Sequence, residues 1–330
     1  MSTLPEQPEP ETTHPAVVVV GASAGGVEAL RTLAAGLSAD LPAAVLVVLH
    51  VSATGRSLLA DILDRVSPLP CTPAKDGEAV EAGRIYVAPP DCHLTLVDGR
   101  VRLTLGPREN GHRPAIDPLF RSAAVAFGKR CCGVILSGTR DDGTIGLAAI
   151  KRSGGVAIVQ DPHDAHYPGM PESAIANVDV DAVLPVAEIG AAIARLTGGS
   201  VLPPDPGPRR PTLAGGAEVA PVHPPPICPE CGGTLTQHHV DGVTAFRCHV
   251  GHQYAPLSLL DEQSEAVESA LWSGVRVLRE RAALLHRLAD DAATRGRPWS
   301  ADGFRRRGDD ATKHAEALLG ALDAVREPTT

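Results

Sequence analysis

Short runs of consecutive aliphatic residues alternate with helical patterns through the first part of the chain. The runs are Val17–Val20, Ala44–Leu49, Gly133–Leu136 and Val156–Val159. A strand with one wet face alternates apolar and polar residues, whereas a strand covered by helices on both faces is apolar throughout. The pattern therefore predicts an α/β domain with a doubly wound, mostly parallel sheet.

A different pattern lies between the second and third of these runs. The segments Ile85–Ala88, Leu94–Val97 and Val101–Leu105 alternate around Asp98-Gly99, a dipeptide typical of hairpin turns. We predict that a β-hairpin is inserted into the α/β domain here.

Composition suggests how the whole chain is divided. We expect a flexible leader at 1–14, an α/β domain at 15–197, a Pro/Gly-rich linker at 198–226, a zinc-ribbon-like module at 227–256 and a helical hairpin tail at 257–330. Apolar residues recur at helical spacing in the tail, with a break at Gly296–Pro298. Its helices are expected to pack on each other or on the module, and docking to a signalling partner is a further interpretation.

Charge and hydropathy exclude several classes of protein. The net charge is -9 and no basic face is indicated, which argues against a nucleic-acid partner. No apolar stretch approaches the ~20 residues that a membrane-spanning helix needs, and the acidic N-terminus does not look like a secretory signal. We expect a cytoplasmic protein without membrane insertion.

A serine stands on the predicted turn between the first strand and the first helix. The turn reads Gly21-Ala22-Ser23-Ala24-Gly25-Gly26. Such a turn exposes the hydroxyl and directs helix N-terminal N–H groups toward an oxyanion, but glycine-rich turns also bind phosphates. The dinucleotide fingerprint G-x-G-x-x-G would need glycine at Ser23, and no G-x-x-x-x-G-K-[S/T] loop occurs, so the turn favours a nucleophile.

Histidine and aspartate follow two other predicted strands. His50 ends the second apolar run, and Asp141 and Asp142 follow the third. The carboxyl ends of parallel strands meet at one edge of the sheet, so these side chains are expected to converge on Ser23. A serine hydroxyl needs an imidazole to take its proton, and the imidazole needs a carboxylate to orient it. Either aspartate could serve, since acidic residues also cap helices.

Five segments, taken in their order along the chain, resemble those of a known family. They are Gly21–Gly26, Asp76–Glu78 with Gly83–Pro89, His112–Phe120, Leu136–Gly143 and Gly169–Ile175. In this order they resemble the chemotaxis receptor methylesterases, the CheB family, over Val17–Leu196. The resemblance implies a triad with Ser23 as nucleophile, His50 as general base and acid, and Asp142 as the orienting carboxylate.

The resemblance also implies roles for residues around that triad. The backbone N–H groups of Thr139 and Ala24 would form the oxyanion hole, although family members often carry methionine where Thr139 stands. Arg113 and Met170 would line the substrate cleft, and a capping or packing role is the alternative for both.

The implied reaction is hydrolysis of glutamate γ-methyl esters on the cytoplasmic helices of chemoreceptors, with related deamidation of glutamine, and it needs no cofactor. The family commonly carries a phosphorylatable receiver domain before the esterase. The short leader leaves no room for one, so we expect control through another partner or the C-terminal modules. The alternatives are a generic α/β-hydrolase esterase, whose histidine would be His163 or His166, and a non-catalytic receptor-binding scaffold.

A cysteine and histidine cluster follows the predicted linker. Between Cys231 and Cys248 lie 16 residues, a spacing typical of zinc ribbons. Cys228 and Cys231 would form the first knuckle of the ribbon. Because adjacent residues of an extended segment point to opposite faces, we choose His252 rather than His249 as the fourth ligand. We predict a structural zinc site, with a metal-free loop as the alternative.

Overall fold

The computed structural model describes residues 16–51, 57–198 and 225–326. The predicted leader and most of the predicted linker lie outside the described residues. The chain divides into two compact units, Met1–Leu259 and Leu260–Thr330.

Strands and helices alternate through most of the first unit. The strands of the described residues are β1 (Val17–Ala22), β2 (Ala44–Leu49), β3 (Cys71–Pro73), β4 (Ile85–Val87), β5 (His93–Val97), β6 (Arg100–Thr104), β7 (Cys131–Ile135), β8 (Val156–Gln160), β9 (Ala182–Leu184), β10 (Leu235–Val240), β11 (Val243–Cys248) and β12 (Gln253–Tyr254). The α-helices are α1 (Gly26–Ala35), α2 (Leu59–Asp64), α3 (Ile116–Phe127), α4 (Thr144–Arg152), α5 (Gly169–Asn177), α6 (Val186–Thr197), α7 (Pro256–Thr294) and α8 (Pro298–Arg326).

Seven of these strands form a parallel sheet in the order β3-β4-β2-β1-β7-β8-β9. Side chains of β1 alternate between two cores: Val17 and Val19 pack with residues of α3, and Val18 and Val20 with residues of α1 and α6. Both faces of the sheet are therefore buried, which explains the uninterrupted aliphatic runs. The predicted doubly wound sheet is confirmed.

The inserted hairpin consists of β5 and β6, which pair antiparallel and whose apolar side chains join the core beside α3. The structure corrects the prediction that Ile85–Ala88 belongs to the hairpin. Ile85–Val87 is strand β4 of the large sheet and pairs in parallel with both β2 and β3. All three of its side chains are buried, as in an internal strand of a parallel sheet. The edge strand β3 was not predicted.

The C-terminal part of the first unit is a small antiparallel sheet in the order β10-β11-β12. Val243 and Ala245 of β11 belong to the same apolar core as the residues of α3. A further bridge joins Gln253 of β12 to Glu109. This sheet is thus packed against the α/β domain rather than folded apart from it.

The second unit is a helical hairpin built from the remainder of α7 and from α8. Gly274 of α7 lies against Leu318 of α8, and His286 Nε2 is 3.7 Å from Asp309 Oδ1. Buried residues recur along α7 at helical spacing, at Val275, Ala282, Leu285, Ala289 and Ala292. The predicted hairpin is confirmed. Across the described ranges, no helix combines the length and the apolar character needed to cross a membrane.

Candidate active site and metal-binding cluster

The candidate active site lies at the carboxyl ends of three neighbouring strands. Ser23 follows β1, His50 follows β2, and Asp142 lies on the loop after β7. β1 and β7 are neighbours in the sheet, and the helices that follow them, α1 and α4, pack on its opposite faces. Such a switch point opens a crevice at the strand ends, where α/β proteins bind ligands.

The local fold around Ser23 presents its hydroxyl at this edge. The Ser23 amide donates to the Ser137 carbonyl oxygen (2.9 Å), which fixes the turn against the loop after β7. Gly25 has φ +69°, and a Cβ there would come within 2.8 Å of Ser137 Oγ. Glycine is therefore required at Gly25 for the chain to turn directly into α1.

A continuous hydrogen-bond path joins the three predicted catalytic side chains. His50 Nδ1 is 3.0 Å from Ser23 Oγ, and His50 Nε2 is 2.7 Å from Asp142 Oδ2. An ionised Asp142 can only accept, so Nε2 carries the proton and Nδ1 is left to accept from the serine hydroxyl. This arrangement can take a proton from Ser23 and stabilise the resulting imidazolium.

The Asp142 carboxylate accepts hydrogen bonds from four donors, and its side chain is only 2% exposed. Oδ2 accepts from His50 and from the Ile116 amide (2.8 Å), and Oδ1 accepts from Asn110 Nδ2 (2.7 Å) and the Asp117 amide (3.2 Å). Burial opposes its ionisation, but the hydrogen bonds from His50 and Ile116 outweigh burial and lower the pKa of Asp142. The carboxylate facing His50 is therefore ionised at neutral pH.

Asp141, the alternative carboxylate, faces another way. Its carboxylate accepts from the backbone amides of Leu257 (2.8 Å) and Ser258 (3.0 Å) and from the Ser258 hydroxyl (2.5 Å). Burial raises the pKa of Asp141, and these hydrogen bonds partly oppose the shift. Asp141 thus caps the first turn of α7, and Asp142 is the aspartate that contacts His50.

Three polar residues around the site were not assigned roles from the sequence. Asn110 donates through Nδ2 to both Asp142 and Asp117, and His112 stacks on His50. Burial and the neighbouring Asp142 carboxylate raise the pKa of Asp117 well above its ordinary value. His112 and Asp117 stand in one of the family-like segments, whereas no sequence signal marked Asn110.

The loop after β7 passes next to the serine. A Cβ at Gly138 would lie 3.0 Å from Ser23 Cβ and would collide with the sulfur of Met170. Within the described ranges, neither the Ala24 amide nor the Thr139 amide donates a hydrogen bond to the protein. These are the donors expected to form the oxyanion hole.

The residues expected to line the cleft make other contacts. Arg113 Nε and Nη2 donate to Asp91 Oδ1 (2.9 and 2.6 Å), and its Nη1 donates to the Gly106 carbonyl oxygen (2.9 Å). Met170 is 0% exposed and packs beneath Gly138. The position of Met170 favours the packing role, whereas Arg113, among the described residues, caps no helix and instead holds Asp91 and the Gly106 carbonyl group.

The histidines required by the α/β-hydrolase alternative are placed differently. The His163 side chain is 96% exposed, and its Nδ1 lies 3.1 Å from Asp161 Oδ1. His166 lies beside Gly25. In the described part of the chain, the imidazole bonded to Ser23 is that of His50.

Cys228, Cys231, Cys248 and His252 bring four ligand atoms within 4.8 Å of one another. The Cys231 and Cys248 sulfurs are 3.6 Å apart, and His252 Nδ1 lies 3.7 Å from Cys228 Sγ and 3.5 Å from Cys248 Sγ. A tetrahedral zinc ion with Zn–S bonds of ~2.3 Å requires ligand separations of about 3.8 Å, so the four side chains fit such an ion.

The surroundings of this cluster also suit a metal. His252 Nε2 is 3.2 Å from Glu230 Oε2, a carboxylate–histidine pair that orients a ligating ring. Burial opposes ionisation of Cys248, but hydrogen bonds involving Gly251 and His252 lower the pKa of its thiol to about 6. The thiolate, which is the form that binds metals, is therefore available at neutral pH.

A hydrogen-bonded serine, histidine and aspartate at the carboxyl edge of a parallel sheet is the arrangement of serine hydrolases built on α/β folds. A family model described as CheB methylesterase matches residues 18–193, just over half the chain. The chain therefore belongs to the CheB methylesterase family.

Individual relatives agree with this assignment. The chain is 42% identical over 181 residues to protein-glutamate methylesterase/protein-glutamine glutaminase 2 of Anaeromyxobacter dehalogenans, covering 55% of this chain and 53% of the relative. It is 40% identical over 195 residues to the methylesterase/glutaminase of the group 3 operon of Rhizobium meliloti, covering 58% and 55%. The chain thus spans about half the length of these curated relatives.

A solved structure is also similar. The crystal structure of the Thermotoga maritima CheB methylesterase catalytic domain matches with a TM-score of 0.53 and 34% identity, covering 55% of this chain and 98% of that one. The cysteine and histidine cluster lies beyond the residues that the family model matches.

Proposed function

We propose that this chain is a protein-glutamate methylesterase in which Ser23 is the nucleophile, His50 the general base and acid, and Asp142 the orienting carboxylate. The observation that carries the proposal is the path from Ser23 Oγ to His50 (3.0 Å) and from His50 to Asp142 (2.7 Å). Membership of the CheB methylesterase family and the names of the relatives support the choice of substrate.

In the proposed reaction, Ser23 Oγ attacks the carbonyl carbon of a glutamate γ-methyl ester while His50 Nδ1 takes the serine proton. The amides of Ala24 and Thr139 stabilise the negative charge on the carbonyl oxygen. His50 then returns the proton to the departing methoxide, which leaves as methanol. His50 then takes a proton from water, whose oxygen attacks the acyl-enzyme, and it returns that proton to Ser23 Oγ as the ester bond breaks and glutamate is released. An amide substrate would release ammonia by the same steps.

The proposed substrates are methylated glutamates on the cytoplasmic helices of chemoreceptors, so the enzyme would act in the cytoplasm without entering the membrane. The helical hairpin of the second unit is a candidate surface for a signalling partner. Catalysis needs no cofactor in this scheme. We further propose that Cys228, Cys231, Cys248 and His252 hold a structural zinc ion, which would stabilise the small sheet of β10, β11 and β12.

The proposal is tested by measuring methanol release from methylated chemoreceptor cytoplasmic fragments. His50→Ala should lower kcat by ~10⁴-fold or more, because the serine loses its base. The matched control is His163→Ala, which removes an exposed imidazole and should keep the wild-type rate. Loss of activity in the control alone would instead support the α/β-hydrolase order. No release by the folded wild-type protein would favour the binding scaffold.

A further inference from the structure

The segment that follows the metal-binding cluster is hydrogen-bonded to the loop that carries Asn110. The backbone N–H of Asn110 donates to the Gln253 carbonyl oxygen (2.8 Å), and the side-chain Oδ1 of Asn110 accepts from the backbone N–H of Ala255 (2.7 Å). Asn110 and Ala255 are 145 positions apart in the sequence. Their hydrogen bond therefore forms only when residues 253–258 are packed against the α/β domain.

The other end of the Asn110 side chain reaches the triad carboxylate. Nδ2 donates to Asp142 Oδ1 (2.7 Å) and Asp117 Oδ2 (3.0 Å), and Asn110 is only 1% exposed. Because the side-chain oxygen of Asn110 accepts from Ala255, its Nδ2 must face the two carboxylates. A flipped side chain would place the oxygen against both carboxylates instead. Hydrogen bonds to a charged group are stronger than those between neutral groups, and both Asn110 and Asp142 are buried.

A second connection runs through the neighbour of Asp142. Asp141 accepts from the amides of Leu257 and Ser258, at the start of α7. These amides lack partners within the helix because they belong to its first turn. The same short segment, residues 253–258, therefore holds Asp142 from two directions, through Asn110 and through the adjacent peptide.

We propose that Asn110 is a positioning residue that couples the seating of residues 253–258 to the placement of Asp142, and so to the reactivity of Ser23. The proposal rests on the catalytic roles proposed above for Ser23, His50 and Asp142. It makes the C-terminal segment part of the active form of the esterase, and any event that loosens the segment would lower turnover without touching the substrate cleft.

The test compares Asn110→Ala with Arg152→Ala in the full chain. Arg152 is the matched control, because its guanidinium pairs with Asp241 on the turn between β10 and β11 and is 72% exposed. It joins the same two parts of the protein without contacting Asp142. The readouts are the rate at which a fluorophosphonate probe labels Ser23, and the kcat and KM of methanol release.

Asn110→Ala is expected to lower the labelling rate and kcat by about 10- to 100-fold with KM unchanged, as misplacement of a catalytic group does. Arg152→Ala should retain both rates. Wild-type labelling by Asn110→Ala would overturn the proposal, as would an equal loss in both variants. Circular dichroism verifies that each variant is folded.

If Asn110→Ala does not fold, Ser258→Ala decides the question, since it removes one bond to Asp141 from the same segment. A several-fold lower labelling rate is then expected, and an unchanged rate would contradict the coupling. Failure of the proposed function looks different: wild-type Ser23 would be labelled while receptor fragments released no methanol. Absence of labelling in the wild type would refute both.

Discussion

The imidazole of His112 stacks on that of His50, with ring centroids 3.7 Å apart and planes inclined by 18°. Burial, and next the proximity of His50, lower the pKa of His112 to about 3. His112 is therefore neutral at neutral pH, and it contacts one face of the His50 ring without placing a positive charge beside it.

This stacking predicts a pH dependence of stability. Because the pKa of His112 falls from 6.5 to about 3 on folding, the unfolded chain binds the extra proton between these values. Protonation of His112 in the unfolded chain thus has no effect on stability above about pH 6.5, and it lowers the free energy of unfolding as the pH falls toward 3. Relative to His112→Gln, the wild type should lose up to about 1.4 kcal/mol of unfolding free energy per pH unit in that window. Urea denaturation at pH 7, 6 and 5 measures this, and parallel curves for the two proteins would count against it.

The two adjacent aspartates should differ sharply in their effect on catalysis. Asp142→Asn removes the charge that faces His50 and favours the wrong tautomer, so kcat should fall by ~10⁴-fold, the magnitude known for this substitution in a serine protease triad. Asp141→Asn retains an oxygen that can accept from the first turn of α7, and it should lose far less. Methanol release under saturating substrate compares them. An equal loss in both variants would contradict the assignment of Asp142.

A substitution at Met170 distinguishes a packing role from a role in contacting the substrate. Its side chain is fully buried beneath Gly138, so Met170→Ala should leave a cavity and lower the unfolding free energy by about 2–5 kcal/mol. KM for the receptor fragment should stay unchanged, and Met170→Leu should preserve both quantities because it fills a similar volume. A higher KM with unchanged stability would place Met170 in the substrate cleft instead.

The proposed zinc site predicts a clear difference between two nearby histidines. His252 lies within ligand distance of Cys228 and Cys248, whereas His249 is exposed outside the set of four ligands. Purified protein should contain about one zinc ion per chain, His252→Ala should lose it, and His249→Ala should keep it. Elemental analysis measures the zinc content, and limited proteolysis should cleave the metal-free protein within residues 227–259. Zinc retained at the wild-type level by His252→Ala would exclude His252 as a ligand.

Much of the fold could be predicted because the signals were local. β1, β2, β7 and β8 are buried on both faces and appear as uninterrupted aliphatic runs. β3 has three residues at the sheet edge and includes a proline, so nothing in its composition distinguished it from a loop. β4 was assigned to the hairpin because its neighbours in sequence, β5 and β6, form one.

The parts of the site that were missed depend on contacts distant in sequence. Ser23, His50 and an aspartate at 141 or 142 could be proposed because each follows a strand end at one edge of the sheet, and the family resemblance then selected Asp142. Asn110 gains its role only through Asp142 and Ala255, residues far from it in the chain. No periodicity or spacing marks such a residue, since its importance arises from how the small C-terminal sheet packs on the α/β domain.

The central claim is that Ser23 is the nucleophile of a receptor methylesterase. The most direct measurement is methanol release from methylated chemoreceptor cytoplasmic fragments by the full chain and by Ser23→Ala at equal concentration. We predict release by the wild type and a fall of ~10⁴-fold or more in the variant, whose fold is verified by circular dichroism. Comparable release by the two proteins would contradict the account.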